Sequence, residues 1–393
     1  MTSPDPITQK EIGERLRKAR EAAKLTQAEA AAAADMVRTT LVAIEKGDRR
    51  VRTDELQVFA RLYHVSINAL LRREALHVDL VPRFRKLSEA TQEGSVEAVA
   101  LLADLAKAEV ELENILGVQR THAYPPERPI LSGDVRMQAE QDAVELRERL
   151  GVGQAPIRDM VTLLEMELGI RVYVRRFEGK VSGLYAYDDA LGACILLNAN
   201  HPRPRRNQIA GHEVGHFTST RRQPEIYRLN EPENSREERY ANAFGRALLT
   251  PARAVMQKFK EVTAGASQLT RRHVIILAHI FGVSREAMVR RVEELSLTKA
   301  GTWEWFTKNG GITEDHERQV LGDLQVSDSE KADADRPTTL RLNLLAGEAW
   351  RRGLLSEGQL ARLLHLDRVQ IREILDGLEI EGDDADGPLR LKG

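Results

Sequence analysis

The chain has 393 residues, 42% of them hydrophobic and 30% charged, a length that suits two or three domains. Its 58 Lys and Arg against 60 Asp and Glu leave a formal charge of −2, which excludes a wholly basic nucleic-acid coat but not one modest DNA-binding domain. A single cysteine, Cys194, excludes an intrachain disulfide and a cysteine-based zinc cluster, and with no apolar signal core and no run of ~20 apolar residues the expected compartment is the cytoplasm, with no membrane span.

Residues 7–75 carry short helical patterns with tight connections. In EIGERLRKAREAA, Ile12, Leu16, Ala19 and Ala23 fall on one helical face. Thr26 is a good N-cap, and Glu29 three residues later completes a capping box for an alanine-rich helix over 27–34. After a turn at Asp35-Met36-Val37, a third helix runs over 38–46 and stops at Gly47. A fourth covers 53–63 and a fifth starts near Ser66. This arrangement, with LTQAEAAAAADMVRTTLVAIEKG followed by DELQVFARLYHVSINALL, resembles the Xre/Cro/C1 family of helix-turn-helix domains. Asp35 stands where that family's turn usually carries glycine, and aspartate tolerates left-handed backbone. The resemblance implies binding to a double-stranded DNA operator, with Arg38, Thr39, Thr40 and Ala43 toward the major groove and Gln27 at a phosphate or base edge. Arg49, Arg50 and Arg52 are candidates for backbone phosphates. Residues 1–75 hold 14 Lys and Arg against 11 Asp and Glu, a charge of +3, which steers DNA weakly.

Residues 76–135 read as a helical linker. Within 84–116, Val96, Val99, Leu102, Leu105, Val110, Leu112 and Leu116 keep a helical period, which fits either a homodimer-forming helix or a spacer packed on the next domain. The proline-rich HAYPPERPILSG then breaks the pattern.

Residues 136–300 mix helix, strand and helix. Ala193–Asn198 reads as a buried or edge strand, able to pair with an extended substrate. QIAGHEVGHF follows, and His212-Glu213-Val214-Gly215-His216 is an H-E-x-x-H motif. On a helix, residues i and i+4 share a face, so two imidazoles can reach one zinc ion. Glu213 lies beside the metal without binding it and is the candidate base. A catalytic zinc needs a third protein ligand, and the helix after Ser235 offers Glu238, near its inward face, and the neighbouring Glu237. His201 is a lone loop histidine, and Tyr185, Tyr187 and Tyr240 are candidate oxyanion donors for which packing is the commoner role.

HEVGHF followed by EERYANAFGRALLTP resembles the ImmA/IrrE family of zinc metallopeptidases. That family's pattern sets a Glu three before an Ala-Asn pair, then Phe and a Leu-Leu-x-Pro ending. The resemblance implies His212, His216 and Glu238 as metal ligands and Glu213 as base, and it extends over about 136–297. It implies Zn2+, although two histidines and a glutamate also suit Mn2+ or Fe2+, and a protein substrate, typically a transcriptional repressor.

Residues 301–393 are helical around an acidic linker at 323–336, with a loose tail, EGDDADGPLRLKG. Two segments, 277–297 and 355–378, have a superficial helix-turn-helix pattern; the first is expected to close the preceding domain, the second to be a small helical cap or another binding element. Trp303, Trp305 and Phe306 read as an exposed aromatic cluster or a domain contact.

The expected fold is multidomain and mainly α with a small α+β part: an N-terminal five-helix bundle, a zincin-like body with a small sheet, and a helical C-terminal region. The expected function is a DNA-binding zinc metalloprotease acting on a repressor under stress. The alternative is a transcription factor whose peptidase-like domain senses a metal, peptide or metabolite.

Overall fold

A computed structural model describes residues 8–63, 65, 70, 94–118, 120–178, 180–189, 191–228, 235–322 and 338–377. The expected fifth helix near Ser66, the first ten residues of the pattern beginning at 84, the acidic stretch 323–336 and the tail from 381 lie outside them. The chain divides into two compact units, 1–77 and 78–393. Among the described residues, no helix is long and apolar enough to cross a membrane.

The first unit holds α1 (Gln9–Ala22), α2 (Gln27–Ala33), α3 (Arg38–Lys46) and α4 (Thr53–Leu62). Thr8 and Thr26 cap α1 and α2 through reciprocal boxes with Glu11 and Glu29, and α3 ends on Gly47 in left-handed backbone. Asp35 adopts φ 51°, so the turn keeps its left-handed residue without glycine. Leu16, Ala30, Leu41, Ile44, Leu56 and Phe59 make the core.

The second unit contains α5 (Gly94–Leu116), α6 (Val135–Arg149) and α7 (Met160–Leu163), which runs into a π-helical turn, Leu164–Leu168. Strands β1 (Arg171–Arg175), β2 (Val181–Asp188), β3 (Gly192–Asn198) and β4 (Glu225–Arg228) form one sheet in the order β1-β3-β2-β4. β3 runs parallel to β1 and antiparallel to β2, and β2 runs antiparallel to β4. Strand β3 is therefore central. Both of its edges are hydrogen-bonded, so it has no open edge for an extended substrate, contrary to the expectation for Ala193–Asn198.

Alternate residues serve the two faces of the sheet. Val172, Val174, Tyr185, Ile195 and Leu197 join the core with Ile209, Val214 and Phe217 of α8 (Arg203–Ser219). The other face meets α5, to which Tyr173 donates a hydrogen bond at Glu109 Oε2 (2.6 Å). The apolar side of α5 is thus covered within this unit, with Leu102, Leu105 and Leu112 fully buried. Beyond α8 follow α9 (Arg236–Leu249), α10 (Ala252–Thr263), α11 (Arg271–Phe281), α12 (Arg285–Glu294), α13 (Thr302–Lys308) and α14 (Glu314–Leu321). Of the three aromatics near 303, Phe306 is buried with Val274, Ile275 and Val289, Trp303 leans on that cluster, and Trp305 is exposed.

The chain ends in α15 (Leu340–Arg351), α16 (Glu357–Leu363) and α17 (Arg368–Asp376). Helix α15 buries Leu342, Leu345, Ala346 and Ala349, and ions hold its start. Glu109 and Glu113 on α5 are met by Arg171 (3.1 and 2.7 Å), by Arg120, and by Arg341 of α15, 2.9 Å from Glu113. Glu165, on the π-helical turn, accepts from the Thr339 hydroxyl and from Arg341 N (2.9 Å), so a carboxylate from elsewhere in the chain caps α15.

Burial pushes the Glu165 carboxyl up to about 7, partly opposed by those two hydrogen bonds. A carboxyl raised in the folded state binds a proton there that the unfolded chain has released, so stability falls as pH rises from its ordinary value toward 7. Wild type should lose about 2–3 kcal/mol relative to Glu165→Gln across that window, read from urea denaturation at several pH values. Parallel curves for the two proteins would refute the burial argument.

Candidate metal centre and recognition helix

The centre is built on the crossing of α8 and α9. An ideal Cβ placed on Gly215 would stand 2.6 Å from Ala241 Cα, and one on Gly245 would stand 2.8 Å from His212 N. Only glycine permits this approach. It brings one face of α8 onto the first turns of α9, whose start is fixed by Ser235 Oγ accepting from Glu238 N (3.0 Å). Farther along, α9 is held to α6 by Tyr240, whose hydroxyl donates to Asp142 (2.8 Å), and by Arg147, which donates to Leu248 O.

The spacing along α8 puts His212 and His216 one above the other with their Nε2 atoms 3.0 Å apart. Glu238 reaches both, Oε1 at 3.4 Å from His216 Nε2 and Oε2 at 3.7 Å from His212 Nε2. One ligand atom from each of the three lies within 4.8 Å of the others, a cluster able to hold a metal ion. Glu237 is not part of it. The donor set fits a small divalent ion. Two imidazoles and a carboxylate converge from one side, as a three-ligand site with a remaining open position requires.

The electrostatics suit that set. Burial, with help from His216, holds the His212 imidazole down to about 3, against the opposing pull of Glu238 and Asn242, so its Nε2 lone pair stays available across the neutral range. For Glu238, burial pushes upward, but the hydrogen bond and charge of His216 and the charge of His212 leave the carboxyl below its ordinary value. Glu213, wholly buried, stands against strand β2, where a Cβ on Gly183 would lie 3.0 Å from its Oε1.

Two residues to which the sequence patterns gave no role complete the surroundings. Asn242 Oδ1 lies 2.9 Å from His212 Nδ1 and orients the ring, directing Nε2 toward Glu238. It sits four residues after Glu238 and thus on the same helical face, a signal available in the sequence. Tyr227, on edge strand β4, packs its ring 4.4 Å from that of His212. Its phenol is raised, mainly by burial, with Glu213 and Glu238 adding to the shift and Arg205 opposing it. No local pattern marks it. Two of the candidate oxyanion tyrosines serve elsewhere: Tyr185 donates to Arg221 O (2.7 Å) and Tyr240 to Asp142. His201 is paired with Ser182 Oγ (3.0 Å).

In the first unit, Arg38 and Thr39 are exposed on α3, with Thr40 and Ala43 half-buried. Gln27 is engaged inside the unit. Its Nε2 donates to Glu45 (2.8 Å), which also pairs with the buried Arg20 (2.6 Å), and its Oε1 accepts from Arg38 (3.3 Å). Arg49 pairs with Glu55 (2.8 Å) and Arg52 with Asp54 (3.1 Å).

Comparison with known proteins matches residues 11–73 to a helix-turn-helix domain and residues 165–293 to an IrrE N-terminal-like domain. Similar solved structures include ComR from Streptococcus suis, 11% identical over 95% of both chains with a TM-score of 0.16. Another is PlcR from Bacillus thuringiensis in complex with the peptide PapR7 and DNA, 12% identical over 88% of this chain and 99% of that one, with a TM-score of 0.17. At such scores neither likeness bears on function here. No curated protein sequence matches significantly.

If the crossing of α8 and α9 depends on bare backbone, Gly215→Ala should cost about 1–3 kcal/mol through overpacking, seen as a lower urea midpoint. An unchanged midpoint would mean that the helices do not meet as described.

Proposed function

We propose, for a chain that joins a helix-turn-helix domain to an IrrE N-terminal-like domain, that the protein is a DNA-binding regulatory zinc metallopeptidase whose substrate is a transcriptional repressor or a similar regulator. In this reading residues 7–75 bind an operator, residues 136–300 form the peptidase body, and the helix within 76–135 packs on that body. The observation that carries it is the convergence of His212, His216 and Glu238 with Glu213 alongside. A cluster of ligands alone would serve storage or sensing; a buried carboxylate next to it serves proton transfer.

A divalent ion held by His212, His216 and Glu238 would supply Lewis-acid polarisation of a peptide carbonyl and acidify a water. Zn2+ suits this donor set best, with Mn2+ and Fe2+ as competitors. Glu213 would take a proton from the attacking water and return it to the departing amine nitrogen. Asn242 keeps His212 in the tautomer that presents Nε2. In the first unit, Arg38 and Thr39, both exposed, would read base edges with Thr40 and Ala43 beside them, while Gln27 would act by holding Arg38.

A second reading, a receptor in which metal, peptide or metabolite binding shifts DNA affinity with little turnover, is favoured by the complete burial of Glu213 and His216.

Glu213→Gln separates the two. It should retain the ion at wild-type stoichiometry while abolishing any new protein N-termini that wild-type cells produce under stress, recorded by mass spectrometry. Identical termini in both strains would sink the peptidase reading and leave the receptor. Asn242→Ala should weaken ion affinity about 10–100-fold, measured by competition with a chromophoric chelator. Unaltered affinity would remove Asn242 from the centre.

A further inference from the structure

The C-terminal helices repeat the geometry of the N-terminal helix-turn-helix. Counterparts fall at a constant offset of 330 positions, from Thr26 to Ser356, from Asp35 to His365 and from Arg38 to Arg368. Ser356 caps α16 through a box with Gln359, as Thr26 caps α2 through a box with Glu29. Each first helix closes into the turn alike: Leu364 N donates to Leu360 O (2.9 Å) and Leu366 N to Ala361 O (3.0 Å), as Ala34 N donates to Ala30 O (3.2 Å) and Met36 N to Ala31 O (3.0 Å). His365 takes φ 52° where Asp35 takes 51°. The second helices, α17 and α3, begin at equivalent positions and bury equivalent residues, Ile371 and Ile374 matching Leu41 and Ile44. Helix α15 packs on α17 as α1 packs on α3.

A third helix pair shows that the motif alone is not enough. α11 and α12 also join through a left-handed residue, Gly282 (φ 63°), with Val283 N donating to Ala278 O (3.1 Å). But Leu277, Phe281 and Met288 lie in the main core, and the arginines of α12 are taken by carboxylates: Arg285 by Glu317, Arg290 by Glu304, Arg291 by Glu140. That pair is structural. In the C-terminal pair the outer face is open. Arg362, Arg368 and Val369 are exposed, and neither arginine has an acidic partner among the described residues.

We propose that residues 338–377 form a second DNA-reading unit, with α17 as its recognition helix. The chemistry at the base-facing positions is that of major-groove readout: Arg368 for guanine, Val369 for a thymine methyl, and Glu373 for a cytosine amino group. Arg362 supplies a phosphate contact. Glu357, at the start of α16, would repel phosphate but is paired with Arg372 (3.1 Å). The unit is anchored to the body that carries the metal centre, through Glu165, Arg341 and the bond from Arg175 to Leu364 O. One DNA site would thus be tied to that body. The choice of DNA as partner, though not the surface itself, rests on the reading of the N-terminal unit.

The test uses the full-length chain, a duplex pool selected on it from random sequence, and footprinting. Wild type should protect two stretches. Arg362→Glu with Arg368→Glu should lose one of them, lower the slope of log affinity against log salt by about 1–2, and leave the melting temperature unchanged. Arg38→Glu should lose the other. If wild type protects only the stretch sensitive to Arg38→Glu, the inference fails and the N-terminal reading stands. Protection only of the stretch sensitive to the Arg362 and Arg368 changes would uphold the inference and overturn the N-terminal reading, and no protection overturns both. An unchanged footprint with a crosslink from Val369→Cys to another polypeptide would overturn the inference by assigning the face to a protein.

Discussion

Everything at the centre depends on two helices lying closer than side chains normally allow. Helix pairs usually keep axes 8–10 Å apart because their side chains interdigitate. Here Gly211 meets Gly245 and Gly215 meets Ala241, so α8 and α9 touch through backbone. Glu238 can then span both histidines from the first turn of α9, and Asn242 can reach the far nitrogen of His212. A methyl group at either crossing point would force the helices, and with them the ligands, apart. The glycines contribute no chemistry, yet they set how closely Glu238 and Asn242 approach the two histidines.

A second constraint works on the opposite face of the sheet. Buried carboxylates and guanidinia are costly to desolvate, and a partnered cluster adds little net stability. Its value is geometric. Glu109, Glu113 and Glu165 accept from α15, β1 and the segment after α5 at defined angles, and a hydrophobic layer could slide where this one cannot. That layer fixes where α15 begins, and through it the orientation of α16 and α17.

What could be read from the sequence was what is local. H-E-x-x-H works through one helical turn, so His212, Glu213 and His216 announce themselves; the cap at Thr26 and the stop at Gly47 are equally local. The choice of Glu238 over Glu237 came from resemblance, because periodicity leaves both near the inward face. Strand order was illegible: a parallel pair between β1 and β3 with β2 inserted on the far side is decided by packing between distant segments, so Ala193–Asn198 could be read as buried or edge with equal right. Tyr227 reaches His212 only because β4 adds to β2. The bond from Gln27 to Glu45 was illegible because nothing in the sequence places the two side by side. The C-terminal pair could be seen as a pattern, but its match in turn angle and burial to the first pair could not.

The capping of α15 by Glu165 bears on how such a chain could have been assembled. A domain added through a flexible tether can be gained or shed in one event, since neither part notices the other. Removing residues 338–377 would instead strip Glu165 of both its donors and Glu113 of Arg341, opening to water a layer of carboxylates built to be covered. The body would have to be rebuilt along with the loss. The C-terminal helices are therefore heritable only together with the acidic layer beneath the sheet, and a chain found with one and without the other would be a transitional form caught at a stability deficit.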